Sequence, residues 1–399
     1  MEATLETTFL GKKLKNPFML ASAPPTRSRE MIERAFDAGW GGAIIKTLTQ
    51  KEHPARTNVT PRIRALRQGS QIWGFTNMEL ASMHATEAWM ADLASLKARY
   101  PDRGLGASML YGGAPDEAQW RAVARECEKA GVDWLELNLS CPHGGAEEGG
   151  EFSIGCRPDA IRTVVGWVRE STRLPLLVKL PAFSDIEAGV RASRNAGADG
   201  IALINTLNAL SGIDLDTYRP LPSVAGKSAF GGLSGRAVKP VALRCVTLAA
   251  GASPLPVSGM GGIYDWKDAV EFLLAGASTL QICSAVMEHG YGIIDDLCRG
   301  LLTYLEVQGW HSPGDAVGRA LPHLVPHADL SREARGVASC QQERCLRCGA
   351  CAVSCRDSGY QAISWAPGET PRVDQEACDG CGLCVGICPV GCLELKARG

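Results

Sequence analysis

Through residue 308 the chain alternates short apolar, β-branched runs with longer stretches whose apolar residues recur at helical spacing. Strands buried on both faces read as such runs, and the alternation is that of parallel βα units. Eight candidate strands follow: Phe18 to Ala21, Gly42 to Thr47, Gly104 to Leu110, Trp134 to Ser140, Pro175 to Leu180, Gly200 to Thr206, Leu255 to Gly259 and Thr279 to Ala285. Between them, Arg29 to Ala38, Glu79 to Ala98, Pro115 to Ala130 and Pro158 to Ser171 are amphipathic, and several such stretches close on Ala-Gly as helix C-caps do. Eight units predict an α/β fold, a closed (β/α)8 TIM barrel over residues 1–310, with an open doubly wound sheet as the second arrangement. The pattern then breaks. Residues 311–339, with Pro313, Pro322 and Pro326 in mixed polar sequence, predict a linker, and residues 340–399 a small separate domain.

Composition sharpens this picture at one point. The chain has 399 residues, 41 Lys plus Arg against 43 Asp plus Glu, a formal charge of −2, and no long run of one sign. Nucleic-acid and membrane surfaces need clustered Lys and Arg, so neither partner is expected. No apolar stretch approaches the roughly 18 residues of a membrane span, and Met1-Glu2-Ala3-Thr4-Leu5-Glu6 lacks a signal-peptide pattern, so a cytoplasmic protein is expected. The 16 cysteines are uneven: residues 1–339 hold six and residues 340–399 hold ten. In a reducing compartment such density suggests metal ligands rather than disulfides.

The two clusters in that tail are the clear internal repeat. One reads Cys345, Cys348, Cys351, Cys355; the other reads Cys378, Cys381, Cys384, Cys388 and then Pro389. Both have the C-x2-C-x2-C-x3-C spacing of bacterial two-cluster ferredoxins, in which the fourth Cys of each run serves the other cluster. Cys345, Cys348, Cys351 and Cys388 are therefore assigned to one 4Fe–4S centre, and Cys378, Cys381, Cys384 and Cys355 to the second, in a ferredoxin-like α+β domain. A zinc ribbon uses C-x2-C pairs and leaves each third Cys without a task. Arg356 follows Cys355 where the usual pattern has Pro, which bears on that cluster's potential more than its presence. Tyr360 to Trp365 and Pro371 to Asp374 are expected to form a hairpin; Cys340 and Cys392, outside the repeat, are expected to be ordinary residues. Adjacent clusters carry single electrons, so the barrel should hold a cofactor that couples one-electron to two-electron chemistry, and flavin is the obvious candidate.

Functional groups of such barrels gather where the strands end. Lys46 and Lys179 each close an apolar run and could neutralise negative charge on a reduced flavin. Ser258-Gly259-Met260-Gly261-Gly262 after the seventh strand, and Cys283-Ser284 ending the eighth, lie where barrels commonly wrap a phosphate in backbone N–H groups. No G-x-G-x-x-G opens a helix after a strand, so electrons should come from a separate donor. The fourth strand runs into Asn138-Leu139-Ser140-Cys141-Pro142-His143 and a glycine-rich loop. Alternation puts Asn138 and Ser140 on one side. Cys141, at the start of the loop, is placed to exchange a proton with a ring carbon, with His143 either tuning it or simply structural. Asn77, which could also cap a helix, and Asn205-Thr206 complete a ring of neutral donors and acceptors that suits a uracil-like edge.

In these residues the chain resembles the dihydropyrimidine dehydrogenase family, in particular the FMN and iron–sulfur subunits of its bacterial NAD-dependent enzymes, whose barrels are related to dihydroorotate dehydrogenases. The resemblance rests on Asn138 to His143, Asn16-Pro17-Phe18, Lys46-Thr47, Asn77-Met78-Glu79-Leu80, Asn205-Thr206 and the double cysteine repeat, and covers nearly the whole chain. It implies Cys141 as catalytic acid/base, and Asn77, Asn138, Ser140, Asn205 and Thr206 around the pyrimidine. It implies FMN among Ser22, Lys46, Thr47, Lys179, Gly235, Gly261, Gly262, Ile263, Cys283 and Ser284. It also implies an electron-donating subunit with FAD and NAD(P)H, or a ferredoxin, in a homodimer or heterotetramer. Two segments depart from the family: Leu180-Pro181-Ala182-Phe183 replaces a Thr-Pro-Asn stretch, and Leu207-Asn208-Ala209-Leu210-Ser211 replaces Val-Ser-Gly. Both are expected to face the flavin or the substrate.

The expected activity is reduction of a ring C=C bond, first of all pyrimidine C5=C6, or the reverse. Electrons would pass through two 4Fe–4S clusters to FMN, hydride would leave flavin N5, and Cys141 would supply the proton. A dihydroorotate-type or other ring reductase is the second reading; it calls for a cation among the substrate loops. A non-catalytic electron-transfer protein is the third.

Overall fold

The computed structural model describes residues 2–49, 58–111, 116–140, 154–183, 185–333 and 335–398. Eight parallel strands close into a barrel: β1 (Phe18–Leu20), β2 (Gly42–Leu48), β3 (Gly104–Met109), β4 (Trp134–Asn138), β5 (Leu176–Lys179), β6 (Gly200–Leu203), β7 (Val257–Met260) and β8 (Ala277–Ile282). They follow one another in chain order, and β8 pairs with β1 to complete the ring. One helix fills each of the seven crossovers: α1 (Arg29–Ala38), α2 (Thr86–Arg99), α3 (Glu117–Lys129), α4 (Pro158–Arg169), α5 (Ile186–Asn195), α6 (Lys239–Ala252) and α7 (Trp266–Leu274). After β8 come α8 (Ser284–His289) and α9 (Ile293–Gln308). The expected strands are each present; six end one to three residues earlier than expected, while β2 and β7 run one residue further, to Leu48 and Met260. Helix α2 begins at Thr86 rather than Glu79, because Asn77 to Ala85 is spent leaving a second sheet.

Alternation along the strands sorts the residues into three layers. Outward positions such as Ile45, Ala107, Leu135, Leu137 and Val178 join the helices in the main apolar core. Inward positions low in the barrel, Met19, Ile44, Trp134, Leu177 and Ala202, pack with Phe9 and Leu14 from the hairpin Thr7–Phe9 and Lys12–Leu14. Phe9 meets Trp134 edge-on, ring centroids 5.9 Å apart, and seals that end. A Cβ at Gly106 would lie 2.3 Å from the Trp134 Nε1, so the indole occupies space that only glycine leaves. Inward positions nearer the mouth are polar: Lys46, Ser108, Glu136, Asn138, Lys179, Ser258, Thr279 and Gln281 are all buried. Period-two geometry thus lifts chemistry to one end of the barrel.

A four-stranded sheet of Ile63–Gln68, Gln71–Asn77, Leu207–Ala209 and Gly231–Ser234 adjoins the mouth and was missing from the strand prediction. Within it Leu207 to Ala209 pairs with Gly231 to Leu233. Neither 207–211 nor 180–183, both expected to face the flavin or substrate, is among the residues lining the cavity at the mouth. Leu180 points outward into the core, and Phe183 packs over Gly189 on α5.

The chain divides into two compact units, residues 1–323 and 324–399. Within the segment read as a linker, Gly318 and Ala320 donate backbone hydrogen bonds to Leu273 and Leu274 of the barrel unit, whereas Gly336–Cys340 pairs antiparallel with Leu393–Ala397 in the second unit. That unit adds α10 (Ala350–Ser358), α11 (Leu383–Ile387) and the hairpin Ile363–Ser364 with Arg372–Val373, where the sequence predicted it. No helix among the described residues is long and apolar enough to cross a membrane.

Candidate active site

The barrel mouth opens into a cleft of about 1210 Å3. Its floor is the polar layer. Lys179 Nζ lies 3.7 Å from Glu136 Oε1, with both side chains almost fully buried. Gln281 Nε2 donates to Glu136 Oε2 at 3.4 Å and to Ser258 Oγ at 3.2 Å, and Thr279 Oγ1 donates to the same Ser258 at 3.0 Å. Lys46 Nζ lies 3.7 Å from Glu79 Oε1, and Glu79 also takes the Arg62 guanidinium. Each lysine at the cleft therefore has a carboxylate behind it. An ionised carboxylate in a water-poor interior needs such a partner, so Glu136 and Glu79 fix both the charge and the position of the lysines.

The polar side chains form one continuous hydrogen-bonded arc. Thr47 Oγ1 exchanges bonds with Ser22 Oγ (3.0 Å) and Ser108 Oγ (3.1 Å) and accepts from Asn138 Nδ2 (3.2 Å). Ser140 Oγ donates to Asn138 Oδ1 at 2.9 Å, and Asn205 Nδ2 donates to the Ser140 hydroxyl (3.0 Å) and carbonyl (3.1 Å). Asn205 Oδ1 accepts the Thr206 N–H. Asn138, Asn205 and Thr206 line the cleft; Ser140 stands behind them and holds the two amides in register. Asn77 also lines it, yet caps no helix: its Nδ2 donates to the Gly232 carbonyl and its Oδ1 accepts from the Glu79 N–H. Each amide keeps a further N–H or lone pair for a ligand.

The opposite wall is backbone. Gly235, Gly261 and Gly262 have φ of +92°, +120° and +88°, a region costly for any side chain. A Cβ at Gly261 would stand 2.9 Å from Ala242 Cβ, and one at Gly262 3.0 Å from the Gly235 carbonyl. Ile263, Cys283 and Ser284 continue this wall, with Ser284 Oγ donating to Ser234 Oγ at 3.0 Å. Burial pushes the Cys283 thiol up to about 11 against the pull of Lys46 and Lys179, so it stays neutral. A cradle of this kind beside two held lysines and an amide arc fits an anionic flavin nucleotide: glycine backbone for phosphate, lysines for the electron-rich edge of the ring.

Cys141 and His143 lie outside the described residues. On either side, Ser140 is tied into the arc, and the Gly155 N–H donates to the Leu139 carbonyl at 2.7 Å, so the chain departs from and rejoins the end of β4.

In the second unit the cysteines gather in crossed sets. Cys345, Cys348, Cys351 and Cys388 line one cavity of about 330 Å3; Cys355, Cys378, Cys381 and Cys384 line another of about 360 Å3. Helix α10 makes the crossing, since Cys351 and Cys355 sit one turn apart on it. Backbone N–H groups of Arg347 and Cys392 donate to Cys345 and Cys388 sulfurs at 3.3 Å, and that of Ala338 to Cys378 at 3.5 Å. Thiol-lined cavities with N–H groups aimed at sulfur fit iron–sulfur clusters.

The sequence reading passed over Glu136, Gln281 and Glu79. Parity along the strands was the available signal: Glu136 precedes Asn138 by two and must share its face.

A closed βα barrel with a flavin-compatible mouth, joined to a cysteine-rich electron-transfer unit, defines an iron–sulfur oxidoreductase. The chain belongs to the dihydroorotate dehydrogenase family, whose model matches residues 4–305, and residues 338–395 match a 4Fe–4S dicluster domain. It is an oxidoreductase acting on CH–CH bonds. Over 397 residues it is 40% identical to the NAD-dependent dihydropyrimidine dehydrogenase subunit PreA of Escherichia coli K12, covering 98% of this chain and 95% of that protein. It is 36% identical over 342 residues to a chloroplastic dihydropyrimidine dehydrogenase (NADP(+)) of Arabidopsis thaliana, covering 82% and 80%. It is 37% identical over 320 residues to the catalytic subunit of dihydroorotate dehydrogenase B (NAD(+)) of Pyrococcus abyssi, covering 79% and 99%.

Proposed function

We propose that the chain is the catalytic subunit of a cytoplasmic dihydropyrimidine dehydrogenase, interconverting uracil or thymine with the 5,6-dihydro ring, with FMN in the barrel cleft and two 4Fe–4S clusters in the C-terminal unit. The charge balance of the cleft carries this reading. Among the described residues the cations lining it are Lys46 and Lys179, each backed by a carboxylate, while Asn77, Asn138, Asn205 and Thr206 offer neutral donors and acceptors. A neutral ring with an imide edge matches that set. Orotate brings a carboxylate that would need a cation without a counter-charge. The dihydroorotate-type reading is supported by the Pyrococcus relative and ranks second.

When bound, FMN supplies reversible two-electron hydride chemistry and can be refilled one electron at a time. Gly235, Gly261, Gly262, Ile263, Cys283 and Ser284 would hold its phosphate end; Ser22, Lys46, Thr47 and Lys179 would hold the ring. Asn138 and Asn205, locked by Ser140, orient the substrate ring, and Cys141, the next residue, gives or takes the proton. Cys345, Cys348, Cys351 and Cys388 hold one cluster, and Cys355, Cys378, Cys381 and Cys384 the other. A partner subunit with FAD and NAD(P)H, or a ferredoxin, delivers the electrons, in a homodimer or heterotetramer. The subunit name of the Escherichia coli relative and the lack of a G-x-G-x-x-G turn support a separate donor.

The test is anaerobic. The purified protein is reduced with an artificial donor and offered uracil, thymine and orotate, and flavin reoxidation is followed by absorbance. Reoxidation by uracil or thymine is expected; reoxidation by orotate alone, or a preparation without flavin, overturns the proposal.

A further inference from the structure

Two cysteines stand outside the ferredoxin repeat, and their positions are not those of bystanders. Cys340 ends the strand Gly336–Cys340, Cys392 directly precedes its partner Leu393–Ala397, and the Gln341 N–H binds the Cys392 carbonyl at 2.8 Å. This pairing puts Cys392 in the wall of the first cluster cavity and Cys340 beside it. The sulfurs of Cys340, Cys345 and Cys392 lie within 4.8 Å of one another. Cys388 Sγ is 3.4 Å from Cys392 Sγ and also accepts the Cys392 N–H. Cys392 is buried, the other three half-buried, and Leu346, Pro389, Val390 and Leu393 make the surroundings apolar.

A tetrahedral thiolate site with metal–sulfur bonds of about 2.3 Å has its sulfurs about 3.8 Å apart. The Cys340, Cys345 and Cys392 sulfurs are gathered on that scale, and Cys388, which touches Cys392 but lies outside the group of three, turns inward to complete the shell. Soft divalent ions select sulfur donors, and an apolar shell favours the neutralised, metal-bound thiolates over free ones.

We propose that the cluster-free C-terminal unit carries a four-thiolate site, Cys340, Cys345, Cys388 and Cys392, for one soft divalent cation of the zinc class. The site shares Cys345 and Cys388 with the first 4Fe–4S position, so the two occupants exclude each other. Metal entry releases the thiol protons and leaves Cys348 and Cys351 unligated. The single ion ties the ends of the strand pair together and keeps two cluster ligands in place. Iron–sulfur assembly at this position must then displace the ion, and zinc excess competes with it. The inference concerns this unit's thiols and is independent of which ring the barrel reduces.

The test uses the full chain, stripped of iron under anaerobic reducing conditions, and zinc itself as the probe. Native alkylation of individual cysteines is timed by peptide mass spectrometry with and without zinc. Cys340, half-buried, and Cys348, exposed, are both expected to react without metal. Zinc is expected to suppress labelling of Cys340 and leave the rate at Cys348 unchanged. Zinc protection of Cys348 with Cys340 still reactive, or protection of neither, overturns the proposal. In the Cys340→Ser/Cys392→Ser variant the zinc effect on Cys345 is expected to be lost, while anaerobic reconstitution gives the wild-type iron content. A variant that cannot take up iron would make these thiols part of the cluster site itself, and the proposal fails.

Discussion

Side chains at the mouth ends of β2, β4, β5, β7 and β8 are already bonded to one another: Lys179 to Glu136, Gln281 to Glu136 and Ser258, Asn138 to Thr47 and to Ser140 just past β4. In the C-terminal unit, buried Val337, Ala338, Ala362, Ile363 and Leu393 are joined in the core by Cys351, Cys378, Cys384 and Cys392, three of them expected cluster ligands. One region ties most of its polar side chains to one another within the protein, over a large apolar core that stands apart. The other puts its metal ligands inside a core too small to stand alone, since domains of about 60 residues bury little surface and often need a metal. The barrel should therefore keep its shape without its cofactor, and the small unit should not.

Iron removal is the broadest way to break this contrast. Chelation that leaves neither iron nor zinc is expected to abolish hydrogen-exchange protection of Gly336–Cys340 and Leu393–Ala397 while the barrel strands stay protected, because metal binding and folding are one equilibrium in such units. Equal loss in both regions would remove the distinction. Cys141→Ala, which removes the proposed proton donor, should lower turnover about 100-fold or more, measured as steady-state kcat. The Glu136→Gln variant leaves Lys179 buried without counter-charge and is expected to cost about 3–5 kcal/mol in urea unfolding. Adding Lys179→Met should recover most of that stability but not flavin affinity, which separates the structural from the binding role of the pair. Asn205→Ala removes an interaction of about 1–3 kcal/mol, and kcat/KM for the ring should fall roughly 10- to 100-fold.

The smallest expected effect lies in the barrel's buried thiols. Burial pushes Cys127 up to about 12 and Cys298 up to about 11. Unfolded thiols lose their protons near about 8.5, so above that pH the unfolded chain binds fewer protons than the native one. Their stabilisation is complete below that value and is lost as pH rises toward 11 and 12. The barrel's urea midpoint should decline over that window, and less in Cys127→Ala.

Much of this was legible in the sequence wherever a short-range rule governs. Lys46 and Lys179 announced themselves by ending apolar runs, and the cysteine spacing determined which thiols share a cavity, because a helical turn separates Cys351 from Cys355. The sheet over the mouth was not legible. Leu207–Ala209 pairs with Gly231–Ser234, which pairs with Gln71–Asn77, and nothing local links segments so far apart. The hairpin turning at Gly69, with φ of +60°, was the one local sign of it. The approach of Cys340 to Cys392 was not legible for the same reason: they meet only through an antiparallel pairing of the unit's two ends.

The hairpin plug of Phe9 and Leu14 against Trp134 has a kinetic corollary. With the lower end of the barrel filled by rings and aliphatic side chains, small molecules must come and go by the mouth. The oxidised and reduced forms of the substrate then contend for one doorway, so product should act as a competitive inhibitor and turnover should alternate between a loaded and an emptied cleft.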